Sequence, residues 1–361
     1  MINGLKLAAL YTAIIMGAGF ASGQELLQYF VGYGTSGIWG LIAAGVLFSV
    51  TGWAVLDICH RKGLTNYRQL MTYLVGERIG RGIEWLVAAF LFVLFVAMLA
   101  AGGAMLEESS NIPFTVGVLA LTAVILVFLW FGLEGLVWIN GILSPIMIAG
   151  GIFFGLYTFF NRTADAFFQN AVVPGWILAA VVYASYNMVT MLSVLSSASR
   201  LAKSRKDCMI GGILGGASLT ILGICMALPL YLYFADIIAV EIPFLVIVVG
   251  YGRVFTYLYL ALMLCAIITT AVINAFALIE WTSGYIKINR RIQCVALAAL
   301  GIPAAYVGFS NIVGYVYPLF GLLGIFQIIV VLLSWFTQCK MPDILNLDLT
   351  KLKSIRRSDD V

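Results

Sequence analysis

A glycine-rich stretch inside the first apolar segment carries the residues best suited to binding chemistry. Gly17, Gly19 and Gly23 fall within seven residues, and each glycine weakens a helix by about 1 kcal/mol relative to alanine. Irregular backbone at membrane depth survives only where it lines a cavity or is buried in protein. A helix broken here would expose free N–H groups on one half and free C=O groups on the other, which together suit an anionic group and a cation. The alternative is a helix–helix contact, because Gly19 and Gly23 also have small-xxx-small spacing.

A carboxylate follows the glycines directly. Glu25 lies two residues past Gly23, in otherwise largely apolar sequence. Ionisable residues at membrane depth are costly and mark binding sites or proton pathways. Three roles are open for Glu25: it pairs with an amine of a solute, it carries a coupling proton, or it only lines an outer vestibule.

A second polar cluster lies in a later apolar segment. Ala266, Thr269 and Thr270 fall on one helical face by their i, i+3, i+4 spacing. A hard cation takes several oxygen ligands, and hydroxyl and carbonyl oxygens on this face would supply some of them. The alternative is that the two hydroxyls bond back to carbonyls of their own helix.

The composition places both clusters in a polytopic helical membrane protein. Hydrophobic residues make up 63% of the chain and charged residues 10%, against about 25% charged residues in soluble domains. The six cysteines have no C-x-x-C spacing, so we expect buried or cytoplasmic thiols rather than disulfides or a metal site. Neither an H-E-x-x-H motif nor a P-loop occurs, and we expect neither enzymatic activity nor ATP as the driving force.

Ten apolar segments are long enough to cross a membrane, which takes about 20 helical residues. They cover about 5–31, 36–59, 82–106, 113–132, 136–160, 174–200, 208–234, 254–284, 290–309 and 312–337. Between the second and the third, an amphipathic cytoplasmic helix is predicted over about 64–80, where Tyr67, Leu70, Met71 and Leu74 recur at helical spacing.

Basic residues are distributed unequally between the two sets of loops. Eighteen of the 20 lysines and arginines fall on the side of both termini, and only Arg162 and Arg253 fall on the other. By the positive-inside rule, both termini are cytoplasmic and the chain is a multi-pass protein of the cell membrane. The distribution also accounts for the net charge of +4, so we expect the lipid bilayer and no nucleic acid as a partner.

Ten spans divide into two sets of five, and an odd number per set makes the second set an inverted copy of the first. The predicted repeats are 1–160 and 174–337, and a cytoplasmic tail follows over 338–361. Span six would then correspond to span one, and it too carries its polar residues at its centre. Paired interruptions point to a binding site, so a second break is predicted near 185–188, with Asn187 in place of a glycine.

Both clusters resemble motifs of the LeuT-fold transporters of the amino acid–polyamine–organocation (APC) superfamily. The run Met16-Gly17-Ala18-Gly19-Phe20 is similar to the G-x-G break in span one of that superfamily. The run Ala266-Ile267-Ile268-Thr269-Thr270 is similar to the A-x-x-[ST]-[ST] pattern of its sodium-coupled members. More narrowly, the chain resembles the YkvI-type bacterial membrane proteins.

The resemblance implies an all-α membrane fold of ten transmembrane helices in a 5+5 inverted repeat, with helices one and six broken. It also implies a sodium site made by the carbonyls of Ala13, Met16 and Ala266 and the hydroxyls of Thr269 and Thr270. Some proton-driven members place a lysine of span five in the sodium position. The segment 136–160 contains no charged residue, which argues against that mechanism.

The solute would bind beside the sodium site. Free N–H groups near Gly19 to Ser22 suit a carboxylate, and Asn274 lies one turn beyond Thr270 on the same face. The resemblance also suggests an inner gate between Lys6 and Glu280. The predicted solute-binding residues are Gly17, Gly19, Phe20, Ala21, Ser22, Gly23, Glu25, Tyr183, Ser185, Tyr186, Asn187 and Asn274.

The predicted function is secondary active transport by alternating access: a sodium-coupled symporter of an amino acid, an amine or a related small solute. No cofactor is expected besides a coupling sodium ion. Two alternatives stay open, namely proton-coupled transport through Glu25 and a receptor of the same fold, like the germinant receptors, that binds a ligand without moving it. A channel is less favoured, because its pore would need repeated polar rings.

Overall fold

The computed structural model describes residues 2–161, 173–283, 285 and 288–337, excepting the side chains of residues 2 and 131–144, and it is almost entirely helical there. A π-helical turn, Ile312–Val316, precedes the last helix. The described residues contain no strand, which confirms the all-α prediction. In chain order, the helices are α1 Ile2–Ile15, α2 Ala18–Ala21, α3 Gln24–Tyr29, α4 Ser36–Lys62, α5 Tyr67–Val75, α6 Glu77–Ser110, α7 Phe114–Phe160, α8 Trp176–Ala198, α9 Arg205–Leu232, α10 Phe234–Ile237, α11 Pro243–Val249, α12 Arg253–Ser283, α13 Arg290–Ala304, α14 Phe309–Asn311 and α15 Tyr317–Thr337.

Six helical segments of the described chain are long and apolar enough to cross a membrane, which confirms a polytopic membrane protein. The count of ten spans stays a prediction, as does the division into repeats 1–160 and 174–337. The predicted tail 338–361 lies outside the described residues. The six segments are Ser36–Lys62, Glu77–Ser110, Trp176–Leu201, Arg205–Leu232, Arg253–Ser283 and Phe309–Thr337.

The predicted fourth and fifth spans form one helix rather than two. Helix α7 has 47 residues, about 70 Å at 1.5 Å per residue. Helix α7 continues through the gap that was predicted between 132 and 136, where no proline lies to end it. Its two apolar parts, Phe114–Trp130 and Pro145–Phe160, contact different helices. The first packs on α6, where Leu121 covers Gly102, and the second packs on α9 and α12.

Span one is broken, as its glycines predict. Helix α1 ends at Ile15, and Gly17 is extended (φ −85°, ψ −173°) before α2 begins. A second break follows at Gly23, whose φ of +81° lies in the left-handed region that favours glycine. The four residues of α2 form a single turn between the two breaks. The irregular backbone is therefore confined to two points instead of extending over 17–23.

Span six is continuous, so the predicted break near Ser185–Met188 is wrong. Helix α8 runs through that region without interruption. The Asn187 side-chain amide donates to the carbonyl of Tyr183 one turn earlier (Nδ2 to O, 3.0 Å). The residue that was expected to unwind the helix therefore bonds to it. No glycine or proline lies between Ile177 and Ala198 to interrupt the helix.

The long helices pack in two groups. Helices α1, α4, α8 and α9 contact one another, and α6, α7 and α12 form the second group. Helix α15 packs on α8 so closely that a Cβ on Gly324 would overlap the carbonyl oxygen of Ser185. Small residues at such contacts let membrane helices approach. The region between the two groups holds the functional site described below.

One end of the molecule carries most of its ion pairs, and we call it the basic face. Asp57 of α4 is fully buried there and binds both Arg61 (2.9 Å) and Arg205 (2.8 Å). Arg68 and Arg290 lie on the same face, where they pair with carboxylates of α6 and α12 respectively. These pairs tie α4 to α9, α5 to α6 and α12 to α13.

The predicted amphipathic helix is present on the basic face, over a shorter range than 64–80. Helix α5 buries Leu70, Met71 and Leu74, and the residues from Glu77 onward already belong to α6. The Tyr67 side chain is half-buried, and its phenol accepts a hydrogen bond from the Gln327 amide (3.0 Å). Burial raises the pKa of the Tyr67 phenol, so this phenol stays neutral at physiological pH.

Candidate functional site

A cavity lies between the two helix groups at the depth of the break in span one. It is lined by residues 13–19 and Glu25 of span one, and by residues of α6, α8 and α12, with single residues from α7 and α15. It offers about 120 Å³ to the centres of water-sized spheres, roughly ten times the space that one water needs. The cavity is therefore large enough for a small solute.

The cavity extends from the break towards the basic face. On α8 its lining runs from Tyr186 to Val194, and on α12 it runs from Thr269 to Ala277. Each of these stretches covers about two turns, roughly 12 Å, in the direction of the helix end that lies at the basic face. The cavity therefore lies in the half of the molecule that faces the basic side.

Two backbone carbonyls at the break are free of their helical partners. The N–H of Gly17 donates to the Ile15 carbonyl (2.7 Å) rather than to that of Ala13, its partner in a regular helix. The carbonyl of Met16 likewise accepts no backbone hydrogen bond from the described residues. Both residues line the cavity. The break thus frees the two carbonyls of span one that the predicted sodium site needs.

The two threonines of α12 lie opposite the break and differ in their bonding. A Cβ on Gly17 would lie 3.2 Å from Thr270 Oγ1, so this hydroxyl contacts the break. The Thr269 hydroxyl donates back to the carbonyls of Cys265 (2.8 Å) and Ala266 (3.1 Å). Thr269 and Thr270 both line the cavity, whereas Ala266 is fully buried behind them. Back-bonding uses the Thr269 proton and leaves its oxygen lone pairs available to a cation.

The residue of α7 that faces this cluster is Met147. Its sulfur lies 4.0 Å from Thr269 Oγ1, and it lines the cavity. A thioether carries no charge, and the described residues place no lysine, arginine or histidine on the cavity wall. Any positive charge at this site must therefore come from an ion or a solute.

Glu25 lies at the outer end of the cavity, and its side chain folds back towards α2. A Cβ on Gly19 would overlap Glu25 Oε1, so the carboxyl fills the notch that this glycine leaves. Glu25 is only 7% exposed. The Tyr186 phenol lies close to the carboxyl, yet neither that phenol nor Glu25 Oε2 makes a hydrogen bond of good geometry within the described chain. The carboxyl is thus buried at the cavity wall, and no lysine or arginine among the described residues pairs with it.

The predicted solute-binding residues separate into two sets. Those that line the cavity are Gly17, Gly19, Glu25, Tyr186, Asn187 and Asn274. Those that lie outside its lining are Phe20, Ala21, Ser22, Gly23, Tyr183 and Ser185.

Much of the predicted carboxylate site is already in use. The N–H groups of Ala21 and Ser22 donate within the α2 turn, to the carbonyls of Gly17 (3.0 Å) and Ala18 (2.8 Å). The Ser22 hydroxyl likewise donates to the Gly19 carbonyl (3.0 Å). The α2 turn ends at the second break, Gly23, and these N–H groups form hydrogen bonds within the turn. The glycine pattern alone does not predict this.

The side opposite the basic face is closed above the cavity. The Gln24 amide donates to the Ser310 hydroxyl (2.7 Å), and the Tyr29 hydroxyl donates to the carbonyl of Val313 (2.9 Å). The Tyr259 hydroxyl of α12 donates to the Ala21 carbonyl (3.0 Å). These bonds tie the outer half of span one to α12 and to the chain around α14. The conformation is closed on this side, with its cavity on the basic side.

The predicted gate between Lys6 and Glu280 is not formed in this conformation. Glu280 pairs with Arg290 instead (3.3 Å), and Lys6 is exposed on the first turns of α1. Arg290 lies at the start of the next helix and reaches Glu280 across a short connection. A gate that closes the basic side is not expected to be engaged while the cavity lies on that side.

Two aromatic residues line the cavity although the sequence did not predict them as site residues. Phe90 of α6 and Tyr317 of α15 line it beside Tyr186, with ring centroids 5.7 Å apart for Phe90–Tyr317 and 4.9 Å apart for Tyr186–Tyr317. Both lie in strongly apolar helices, where aromatic residues are usual packing. No local pattern distinguishes them, and only their position under Glu25 does so.

Similar proteins are known in sequence and in structure, although no protein-family model matches the chain. The "uncharacterized membrane protein YkvI" of Bacillus subtilis (strain 168) is 25% identical over 320 residues, which is 88% of this chain and 91% of YkvI. The "uncharacterized protein YyaD" of the same organism is 25% identical over 332 residues, which is 91% of this chain and 96% of YyaD. Both likenesses span nearly the whole chain, in line with the YkvI-type resemblance.

Two solved structures of Mhp1, a nucleobase-cation-symport-1 family transporter, are similar in fold. One is a closed conformation with bromovinylhydantoin bound, with a TM-score of 0.57 and 14% identity, covering 88% of this chain and 74% of Mhp1. The other is an inward-facing conformation, with a TM-score of 0.56 and 15% identity, covering 91% of this chain and 75% of Mhp1. This likeness confirms that the chain has the LeuT fold.

Proposed function

We propose that the chain is a secondary active transporter, which carries a small solute together with sodium by alternating access. The observation that carries this proposal is the break in span one, where free carbonyls, two threonines and a buried carboxyl surround one cavity between two helix groups. Discontinuous helices of this kind form the substrate and coupling-ion sites of many secondary transporters. The Mhp1 structures support the proposal by analogy of fold, since one of them holds a small solute.

The sodium ligands proposed are the carbonyls of Ala13, Met16 and Ala266 and the hydroxyls of Thr269 and Thr270. The free carbonyls of Ala13 and Met16 support this set, as does the contact of Thr270 with Gly17. Oxygen ligands without a nearby basic side chain suit a hard monovalent cation. The set joins α1 to α12, which belong to different helix groups, so a bound ion would bias the position of one group against the other.

The solute proposed is an amino acid or an amine, held between Glu25 and the amides of Asn187 and Asn274. Proton coupling through Glu25 is the second candidate mechanism. It is favoured by one observation, the carboxyl that is buried without a cationic partner. A buried carboxyl is stable only when it is protonated or has a cation beside it. Sodium-coupled and proton-coupled transport would both use the same cavity for this neutralisation.

Cysteine accessibility tests alternating access directly. Ser193 lines the cavity on the basic side of Asn187, whereas Ala184 is fully buried on the other side of it, on the same helix. We expect a membrane-impermeant maleimide added to inside-out vesicles to label Ser193→Cys well above the wild-type background, and to leave Ala184→Cys unlabelled. Because sodium favours a different arrangement of the groups, replacing potassium with sodium should change the labelling rate of Ser193→Cys. Equal labelling of both variants would contradict the proposal. So would a labelling rate of Ser193→Cys that changes with neither sodium nor solute.

A further inference from the structure

We infer that the solute is a small organic ammonium ion without a carboxylate, and that Glu25 supplies the negative group which an amino acid would bring with it. This inference rests on the proposed function, in that it takes the cavity as the solute site. It narrows the solute class from amino acids and amines to amines alone.

The Glu25 carboxyl occupies the place where an amino acid would put its own carboxylate. It fills the notch at Gly19, next to the break, so that a Cβ at this glycine would overlap its Oε1. This is the stretch of span one that was predicted to hold the carboxylate of a solute. The chain therefore places its own carboxylate at the point where an amino acid would place one, and two negative groups at that point would repel each other by several kcal/mol.

The side chains that line the cavity favour a solute with a positive charge. The cavity wall has one carboxyl and, among the residues described, no lysine, arginine or histidine. Among the described residues, the titratable side chains that interact electrostatically with the carboxyl include the phenols of Tyr29, Tyr183, Tyr186 and Tyr317, which bring no positive charge. A carboxylate on the solute would find no cationic partner here except the coupling ion, whereas an ammonium group would find Glu25.

The aromatic residues that line the cavity beneath Glu25 also favour a cation. Phe90, Tyr186 and Tyr317 line the cavity together, with ring centroids 4.9 to 6.4 Å apart. A cation within about 6 Å of an aromatic face is attracted by the ring, most strongly when it is shielded from water. Aromatic rings around a carboxyl form a site for an organic ammonium ion, and a neutral or zwitterionic solute gains less from the same wall.

Matched probes separate the solute classes in binding to the purified protein. Butylamine and 2-aminopentanoate differ only by a carboxylate on the amine-bearing carbon, as do phenethylamine and phenylalanine. Butan-1-ol and 2-phenylethanol are the neutral counterparts. With sodium present, we expect at least one amine to raise the melting temperature and to bind about tenfold or more tightly by calorimetry than its amino acid and its alcohol.

Two variants tie this preference to the carboxyl. Glu25→Gln removes the charge with little change in shape, and we expect it to weaken amine binding about 30-fold or more. Gly19→Ala leaves Glu25 in the chain but displaces its flexible end from the notch, and we expect about fivefold or more weaker binding. Gly82→Ala is the control, because a Cβ there meets nothing within 4 Å; it should bind the amine as the wild type does.

The inference is overturned if the amino acids bind as tightly as their amines, if neither amine binds, or if Glu25→Gln and Gly19→Ala both bind the amine as the wild type does. These results are distinguishable from a failure of the proposed function. An amine that binds through Glu25 but is never transported leaves the site assignment standing and removes the transporter. If sodium drives uptake of a solute equally well in the wild type, Glu25→Gln and Gly19→Ala, the amine inference is wrong and the proposed function still holds.

Discussion

Replacing Glu25 with glutamine is expected to lower solute uptake about 100-fold or more. The carboxyl is buried at the outer end of the cavity with no cationic partner among the described residues, so its charge is balanced only when a solute or a proton arrives. Glutamine keeps the size of the side chain but neither carries a proton nor pairs with an ammonium group. Loss of one partner of a buried charged pair costs about 2 to 5 kcal/mol. Uptake into liposomes measures the loss.

The same variant should keep sodium-dependent thermal stabilisation, because Glu25 is not among the proposed sodium ligands. Glu77→Gln is the matched control, since Glu77 is exposed at the basic face and pairs only with Arg81 one turn away. We expect that control to transport as the wild type does. If Glu25→Gln also retains wild-type uptake kinetics, the carboxyl only lines the cavity, and both the amine and the proton roles are wrong.

Replacing Thr270 with valine is expected to weaken sodium binding about tenfold to 100-fold. Valine keeps the branched shape of threonine and removes one ligand oxygen, and a polar contact to a charged group contributes about 1.5 to 3 kcal/mol. Folding should be nearly unaffected, because the hydroxyl lies against the break at Gly17 and no hydrogen bond ties it to the described residues. The sodium dependence of the melting temperature gives the binding constant by mass action.

Thr122→Val is the control for this experiment. Thr122 is buried in α7 and its hydroxyl donates back to the Val118 carbonyl (2.7 Å), away from the cavity. It should retain wild-type sodium dependence, whereas Thr269→Val should weaken it as Thr270→Val does. If Thr269→Val and Thr270→Val both behave like the control, the threonines are ordinary helix residues. Proton coupling through Glu25 then becomes the better account.

The break in span one could be predicted from the sequence, because its cause is local. Three glycines within seven residues weaken the helix wherever it lies in the fold, and Gly23 requires a left-handed backbone that glycine favours. The same holds for the threonine face of α12, which depends only on helical periodicity. The cavity that joins these elements depends on how two helix groups pack, yet the LeuT-fold resemblance supplied that arrangement in advance.

Features that depend on which of several possible interactions forms could not be predicted. Asn187 suits either a break or a continuous helix, and the structure resolves this by a hydrogen bond to Tyr183. Glu280 has several basic residues within reach, and Arg290 meets it. The folding back of Glu25 onto Gly19 depends on the backbone of the second break, Gly23, which lies between them. The residue type determines which interactions each of these side chains can make, and the packing of the fold determines which one forms.

The central claim is coupled transport, and it is tested most directly by uptake into liposomes with a sodium gradient. The solute is the one that most raises the melting temperature of the purified protein in a screen of amino acids and amines. With sodium high outside and low inside, we predict accumulation of the labelled solute above its external concentration, followed by release when an ionophore collapses the gradient. Solute that binds the protein but neither accumulates nor exchanges with unlabelled solute across the membrane would contradict the account and identify the protein as a receptor.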